Sequence, residues 1–170
     1  MPGTVYTVAP IPPDPDHTTY VEAGAISFGV EYRLLDDAEL AANYQGADMK
    51  EIEEALAGNQ VEDNGVSIHV MGAEDRHEYL RFDCFEKGPH YHYIEPSGEK
   101  QTIVEFDVAA MGEMIPWSLV QLKNRLAPML EYAGGAALTA SLDEKLIEAA
   151  LVRVDKLAWE AQAELDRQKK

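Results

Sequence analysis

Apolar and polar residues alternate over much of the first two thirds of the chain, and helical spacing takes over in the last third. From Tyr20 to Tyr32, the residues Tyr20, Ile26, Phe28, Val30 and Tyr32 share one parity, interrupted by Glu22. Ala23, Ala25, Ser27, Glu31 and Arg33 hold the other. This predicts a long strand, broken into a hairpin near Gly24. Two short helices are expected next, over about 36–44 and 48–57. Asp48 with Glu51 supplies the side-chain oxygens of a helix start, and Gly58-Asn59 supplies the stop. Strands are then expected at about 66–71, 77–86, 89–95 and 101–107. Gly-Ala-Glu-Asp-Arg, Lys-Gly and Pro-Ser-Gly-Glu join them, and such short turn-forming connections imply antiparallel neighbours.

After Asp107 the period changes. Residues 116–133 read as a helix that Pro128 should kink, because proline removes a donor and clashes one turn back. Ile147, Ala150, Leu151, Val154, Leu157, Ala158, Ala161 and Leu165 recur at helical spacing, and Ser141 with Glu144 resembles a capping box. A helix over about 141–168 would span about 42 Å, so its end, AWEAQAELDRQKK, is expected to project into solvent or to pack on a partner. Before all this, MPGTVYTVAPIPPDPDH carries five of the nine prolines and reads as an extended arm, residues 1–17, lying on its own domain or wrapping another subunit. The fold class is α+β. An antiparallel meander of four to six strands packs on C-terminal helices in one domain, residues 18–170.

Charge narrows the partners. With 14 basic and 31 acidic residues the formal net charge is −17, a field that repels nucleic acid and anionic membrane surfaces. No basic-then-apolar leader and no apolar run of about 18 residues is visible, and the lone Cys84 cannot form an internal disulfide. The expectation is a cytoplasmic protein with neither nucleic acid nor membrane among its partners.

Chemistry concentrates in FDCFEKGPHYHYIEP, residues 82–96. A two-residue Lys87-Gly88 turn would set Asp83 across from His92, Phe85 across from His90 and Arg81 across from Ile94. One face then holds Leu80, Phe82, Cys84, Tyr91 and Tyr93 as core, and the other holds Arg81, Asp83, Phe85, His90, His92 and Ile94. Glu105 could reach this second face from the last strand. His90, His92, Asp83 and Glu105 form a sensible ligand set for a divalent transition metal. Arg81, Asp83 and His92 could equally serve proton transfer or substrate contact. Cys84 reads as a buried, inert thiol, and His69 and His77 as ordinary surface. The string GPHYHYIEPSG resembles part of a cupin metal motif through Gly88, His90, His92, Glu95 and Gly98, which implies a histidine-ligated metal. Its spacing differs from that motif and no second motif follows, so no family is assigned.

Nucleotide-binding glycine loops, the GxSxG elbow, HExxH and CxxC are all missing from the sequence. Two functions are therefore weighed. The first is an accessory or assembly subunit, forming a homo-oligomer or a hetero-complex with a larger protein, argued from the apolar Phe85, Ile94 and Ile103 on the second face, the arm and the long last helix. The second is a metal-dependent enzyme, or a metal- or small-molecule-binding protein, built on the histidine hairpin.

Overall fold

The computed structural model describes residues 2–170. Met1, first residue of the expected arm, lies outside them. The strands are β1 (Thr4–Tyr6), β2 (Thr18–Ala23), β3 (Ile26–Asp36), β4 (Glu62–Gly72), β5 (Glu78–Phe85), β6 (His90–Ile94) and β7 (Gln101–Glu105). The helices are α1 (Asp37–Asn43), α2 (Gly46–Leu56), α3 (Val108–Met111), α4 (Met114–Asn124), α5 (Leu126–Tyr132), α6 (Ala136–Thr139) and α7 (Glu144–Gln168). All seven strands join one sheet in the order β1-β7-β6-β5-β4-β3-β2, each neighbouring pair antiparallel. The strand count exceeds the expected four to six because the hairpin at Gly24 separates β2 from β3 and because Thr4–Tyr6, read as arm, pairs with β7. Gly24 takes φ +72°, a left-handed conformation that glycine enters without steric cost. The turn also resets parity: Val21 and Ala23, rather than Tyr20, face the core with Ile26 and Phe28.

That core lies between one face of the sheet and the C-terminal helices. Phe28, Ile68, Leu80 and Phe82 meet Leu122, Leu130, Val154 and Leu165, all fully buried. The expected 116–133 helix is two helices, divided at Arg125 and not at Pro128. Pro128 has no N–H to give the Asn124 carbonyl one turn earlier, so the break falls there. In α7 the cap is Asp143, whose side chain accepts from the N–H groups of Lys145 and Leu146, so Ser141 lies outside the helix. The end of α7 does not project. Leu165 is fully buried, and Lys169 Nζ lies 2.6 Å from Glu86 Oε2 on the β5–β6 loop. Leu165→Ala should therefore lower the unfolding free energy by about 2–5 kcal/mol, read from urea titrations; a loss below about 0.5 kcal/mol would mean that the helix end is not packed. No helix among the described residues is long and apolar enough to cross a membrane.

The position of β1 has a consequence for the opposite face. β1 and β2 sit at the two edges of the sheet, so residues 7–17 must travel from one edge to the other. Six inter-strand gaps span about 29 Å, and eleven extended residues reach about 36 Å. Prolines at 10, 12 and 13 keep the crossing extended up to the turn that the His17 N–H closes on the Asp14 carbonyl. Along the way the Val8 carbonyl accepts from Gln101 on β7, the Ile11 carbonyl from Arg81 on β5 and Arg33 on β3, and the Asp14 N–H donates to Glu31 on β3. The face opposite the C-terminal helices is thus covered by its own chain.

Candidate functional site

A carboxylate from the start of β4 fixes the histidine hairpin. The Asp63 carboxylate accepts the N–H groups of Lys87 (3.0 Å) and Gly88 (2.8 Å), and Pro89 has no N–H to extend the ladder. Residues 86–89 therefore form the loop, and the expected two-residue turn is replaced. Asp83 pairs with His90 and Arg81 with His92, a register two residues away from the expected one. A shift of two preserves the faces. Arg81, Asp83, Phe85, His90, His92 and Ile94 share one side, opposite Leu80, Phe82, Cys84, Tyr91 and Tyr93. Phe85 and Ile94, expected to form an adhesive surface, are buried within the chain at 6% and 2% exposure.

Asp83 lies at the centre of the cluster. Its Oδ2 is 2.9 Å from His92 Nε2 and 3.3 Å from His90 Nε2, and its Oδ1 accepts the Ser67 hydroxyl. The far nitrogens are committed elsewhere. His90 Nδ1 lies 2.7 Å from the Gly88 carbonyl, and His92 Nδ1 lies 2.6 Å from Gln101 Oε1. Gln101 is itself oriented, because its Nε2 donates to the Val8 carbonyl at 2.9 Å. Carbonyl oxygens can only accept, so both Nδ1 atoms carry hydrogen, and the neutral form of each ring turns an Nε2 lone pair toward Asp83. Histidines that bind metals characteristically donate their other N–H in this way. One ligand atom from each of Asp83, His90 and His92 lies within 4.8 Å of the others.

Electrostatics differ across the three. Burial holds the His92 pKa below the ordinary imidazole value, with Asp83 opposing and His90 reinforcing the shift. For His90 burial also works against the charge, but the hydrogen bond and charge of Asp83 outweigh it and raise the pKa. Asp83 is buried too, which would raise its pKa, yet the hydrogen bonds from His90 and His92 hold it well below the usual carboxylate range. Without a metal, then, the Asp83 carboxylate is the acceptor shared by the two imidazoles.

All three side chains line a cavity of about 260 Å³ under the crossing segment and α1–α2. Its apolar wall includes Leu35, Leu40, Ile52, Leu56 and Ile103, and Arg33 and Arg81 also border it. Glu105 pairs with His90 in the register but is exposed, and it contributes no atom to the cluster. Arg81 spends its guanidinium on Glu78 (2.7 and 2.8 Å) and on the Ile11 carbonyl (2.6 Å).

Residues 20–158 match the family model described as Domain of unknown function (DUF7700). The chain belongs to that family. No curated protein and no solved structure matches it. The DUF7700 span includes Asp83, His90, His92 and Gln101 but not Val8 or Ile11, whose carbonyls complete the cover.

On the same sheet face, DUF7700 residues form a second charged group that strand-by-strand reading missed. His69, expected at the surface, is fully buried, with Nε2 2.7 Å from Glu31 Oε2 and Nδ1 2.5 Å from Glu78 Oε1. An imidazole facing carboxylates at both nitrogens donates twice and is a cation. Burial opposes that charge, but Glu78, then Glu31, outweighs it and raises the His69 pKa. Burial likewise would raise Glu78, but Arg81 and His69 hold it far below the usual range. His77 is half-buried, its Nε2 3.1 Å from the Ile94 carbonyl. Cys84 faces the core, and burial pushes its pKa up to about 12, so it carries no thiolate at neutral pH.

Proposed function

We propose that this chain binds one divalent transition-metal ion through His90, His92 and Asp83 and uses it on a small molecule held in the adjoining cavity, as a metal-dependent enzyme or a small-molecule-binding protein. The observation that carries this reading is the convergence of two imidazole Nε2 atoms and a carboxylate oxygen within 4.8 Å of one another, with both Nδ1 atoms anchored to carbonyls. His92 Nε2 and the Asp83 carboxylate stand 2.9 Å apart, a contact that a metal would replace with two bonds. Two imidazoles and one carboxylate suit iron, manganese, nickel, cobalt or zinc, and three protein ligands leave coordination positions for something else. Such open sites do chemistry or bind ligands, whereas structural sites are closed.

Metal analysis of untagged protein tests this. The expected result is about one transition metal per chain, absent from the His90→Ala/His92→Ala double variant. Protein that takes up no metal after incubation with Co(II), Fe(II) or Zn(II) would rule the reading out.

A second reading, an assembly subunit that associates with itself or a larger protein, is favoured by one observation. Val120 on α4 and Val152 on α7 are 53% and 75% exposed on helices that pack together. Native mass spectrometry of protein recovered from its host, without added tags, would show a defined complex on this reading and a monomer otherwise.

A further inference from the structure

The charges buried on the crossing-segment face point to the kind of ligand the site takes. Glu31, Glu78 and Asp83 supply three negative charges there. Arg33, Arg81 and the doubly hydrogen-bonded His69 supply three positive ones. With His90 and His92 neutral, as metal ligation requires, these six charges balance without the metal. A divalent cation would add two unmatched charges to a site of low dielectric, a costly state unless anionic ligands arrive with it. A metal-bound hydroxide provides one. The remaining charge calls for an anion from the ligand itself.

Arg33 gives that anion a second anchor. Its side chain is 7% exposed, and it lines the same cavity as the three metal ligands. Among the described residues its guanidinium is held by long contacts, 3.4 Å to the Ile11 carbonyl and 3.8 Å to Glu31. Glu31 is already engaged at shorter range, by His69 at 2.7 Å and by the Asp14 N–H at 3.0 Å. Arg33 is therefore the more loosely held of the two arginines at this cavity and has donors to spare for an incoming acceptor. Leu35, Leu40, Ile52 and Leu56 give the cavity an apolar wall, and about 260 Å³ lies just under the roughly 300–1,000 Å³ of pockets for drug-sized ligands.

We infer that the ligand is a small carboxylate-bearing molecule with an apolar body, its anionic group shared between the metal and Arg33 and its body against the Leu35, Leu40, Ile52 and Leu56 wall. This rests on the metal reading above. The test uses protein loaded with Co(II), whose visible absorption reports the coordination sphere, titrated with octanoate, 1-octanol and acetate and followed by absorption and calorimetry. Octanoate should perturb the spectrum and bind at least about tenfold more tightly than either the alcohol of equal length or the acid without a body. In Arg33→Gln the preference for octanoate over 1-octanol should fall about tenfold. If no Co(II) spectrum appears, the metal site and this inference both fall. If Co(II) binds normally but octanoate shows no preference over 1-octanol, or none over acetate, the metal reading stands and the anionic apolar ligand is overturned.

Discussion

His69→Leu is expected to lower the unfolding free energy by about 3–5 kcal/mol at neutral pH, the usual cost of removing one partner from a buried charge group. The leucine fits the space of an imidazole but leaves Glu31 and Glu78 buried without the cation between them. The effect depends on pH in a direction that identifies its cause. In the native protein His69 has a raised pKa, so its stabilising contribution is full below the unfolded value of about 6.5 and fades as pH rises through the folded one. Glu78 has a depressed pKa, so its contribution is full above about 4.3 and is lost as pH falls through the folded value. The native protein should be most stable between these limits. In His69→Leu that contribution is missing, so the gap between variant and native protein should close as pH rises through the folded His69 value. Urea titrations at neutral and alkaline pH measure this. A loss below about 1 kcal/mol at neutral pH would mean that the buried triad contributes little.

The contrast between what the sequence disclosed and what it concealed follows from the range of the forces involved. Strand alternation, turn composition and the stripe on α7 are local, and they placed the meander, the C-terminal helices and both faces of the histidine hairpin. The hairpin register was off by two residues because Asp63, far along the chain, caps the Lys87-Gly88 loop. The faces survived because the side-chain period is itself two. Glu31 and Arg33 had been set on the parity opposite to Phe28 and Val30, and Ser67 and His69 stand opposite to Ile68 and Val70. Reading those polar parities across four strands, rather than along one, would have shown a continuous charged face. What no local pattern could show is the cover. That depends on β1 pairing with β7 at the far edge, which obliges the proline-rich segment to cross the sheet and brings the Val8 and Ile11 carbonyls to Gln101 and Arg81.

Taken together, these placements separate two jobs on one face. Near β3 and β4 the charges neutralise one another through short bonds: Glu31 to His69, His69 to Glu78, Glu78 to Arg81. Near β6 and β7 the side chains are held by neutral carbonyls on their outer side and left facing one another on the inner side. The first arrangement is complete as it stands. The second gains most from a cation.

Asp83→Asn tests this distinction, because it separates the needs of the metal-free site from those of the occupied one. Asparagine has nearly the same shape; its oxygen can accept the Ser67 hydroxyl and its amide can donate to His92 Nε2, now matched with the lone pair that faces it. His90, 21% exposed, can give up its proton and remain hydrated. The metal-free variant should therefore lie within about 1 kcal/mol of the native protein in stability, as expected when a buried ion pair is replaced by satisfied neutral groups. With metal the outcome reverses. An amide oxygen is a poorer ligand than a carboxylate and brings no charge against the dication, so Co(II) affinity should drop more than about 100-fold, beyond the 10–100-fold typical of a supporting residue. At a Co(II) concentration near 100 times the native Kd, the native protein should gain about 2.7 kcal/mol of stability and the variant almost none. If instead the variant bound Co(II) as tightly as the native protein, or lost more than about 3 kcal/mol without metal, Asp83 would be a structural anchor for the histidines and not a ligand.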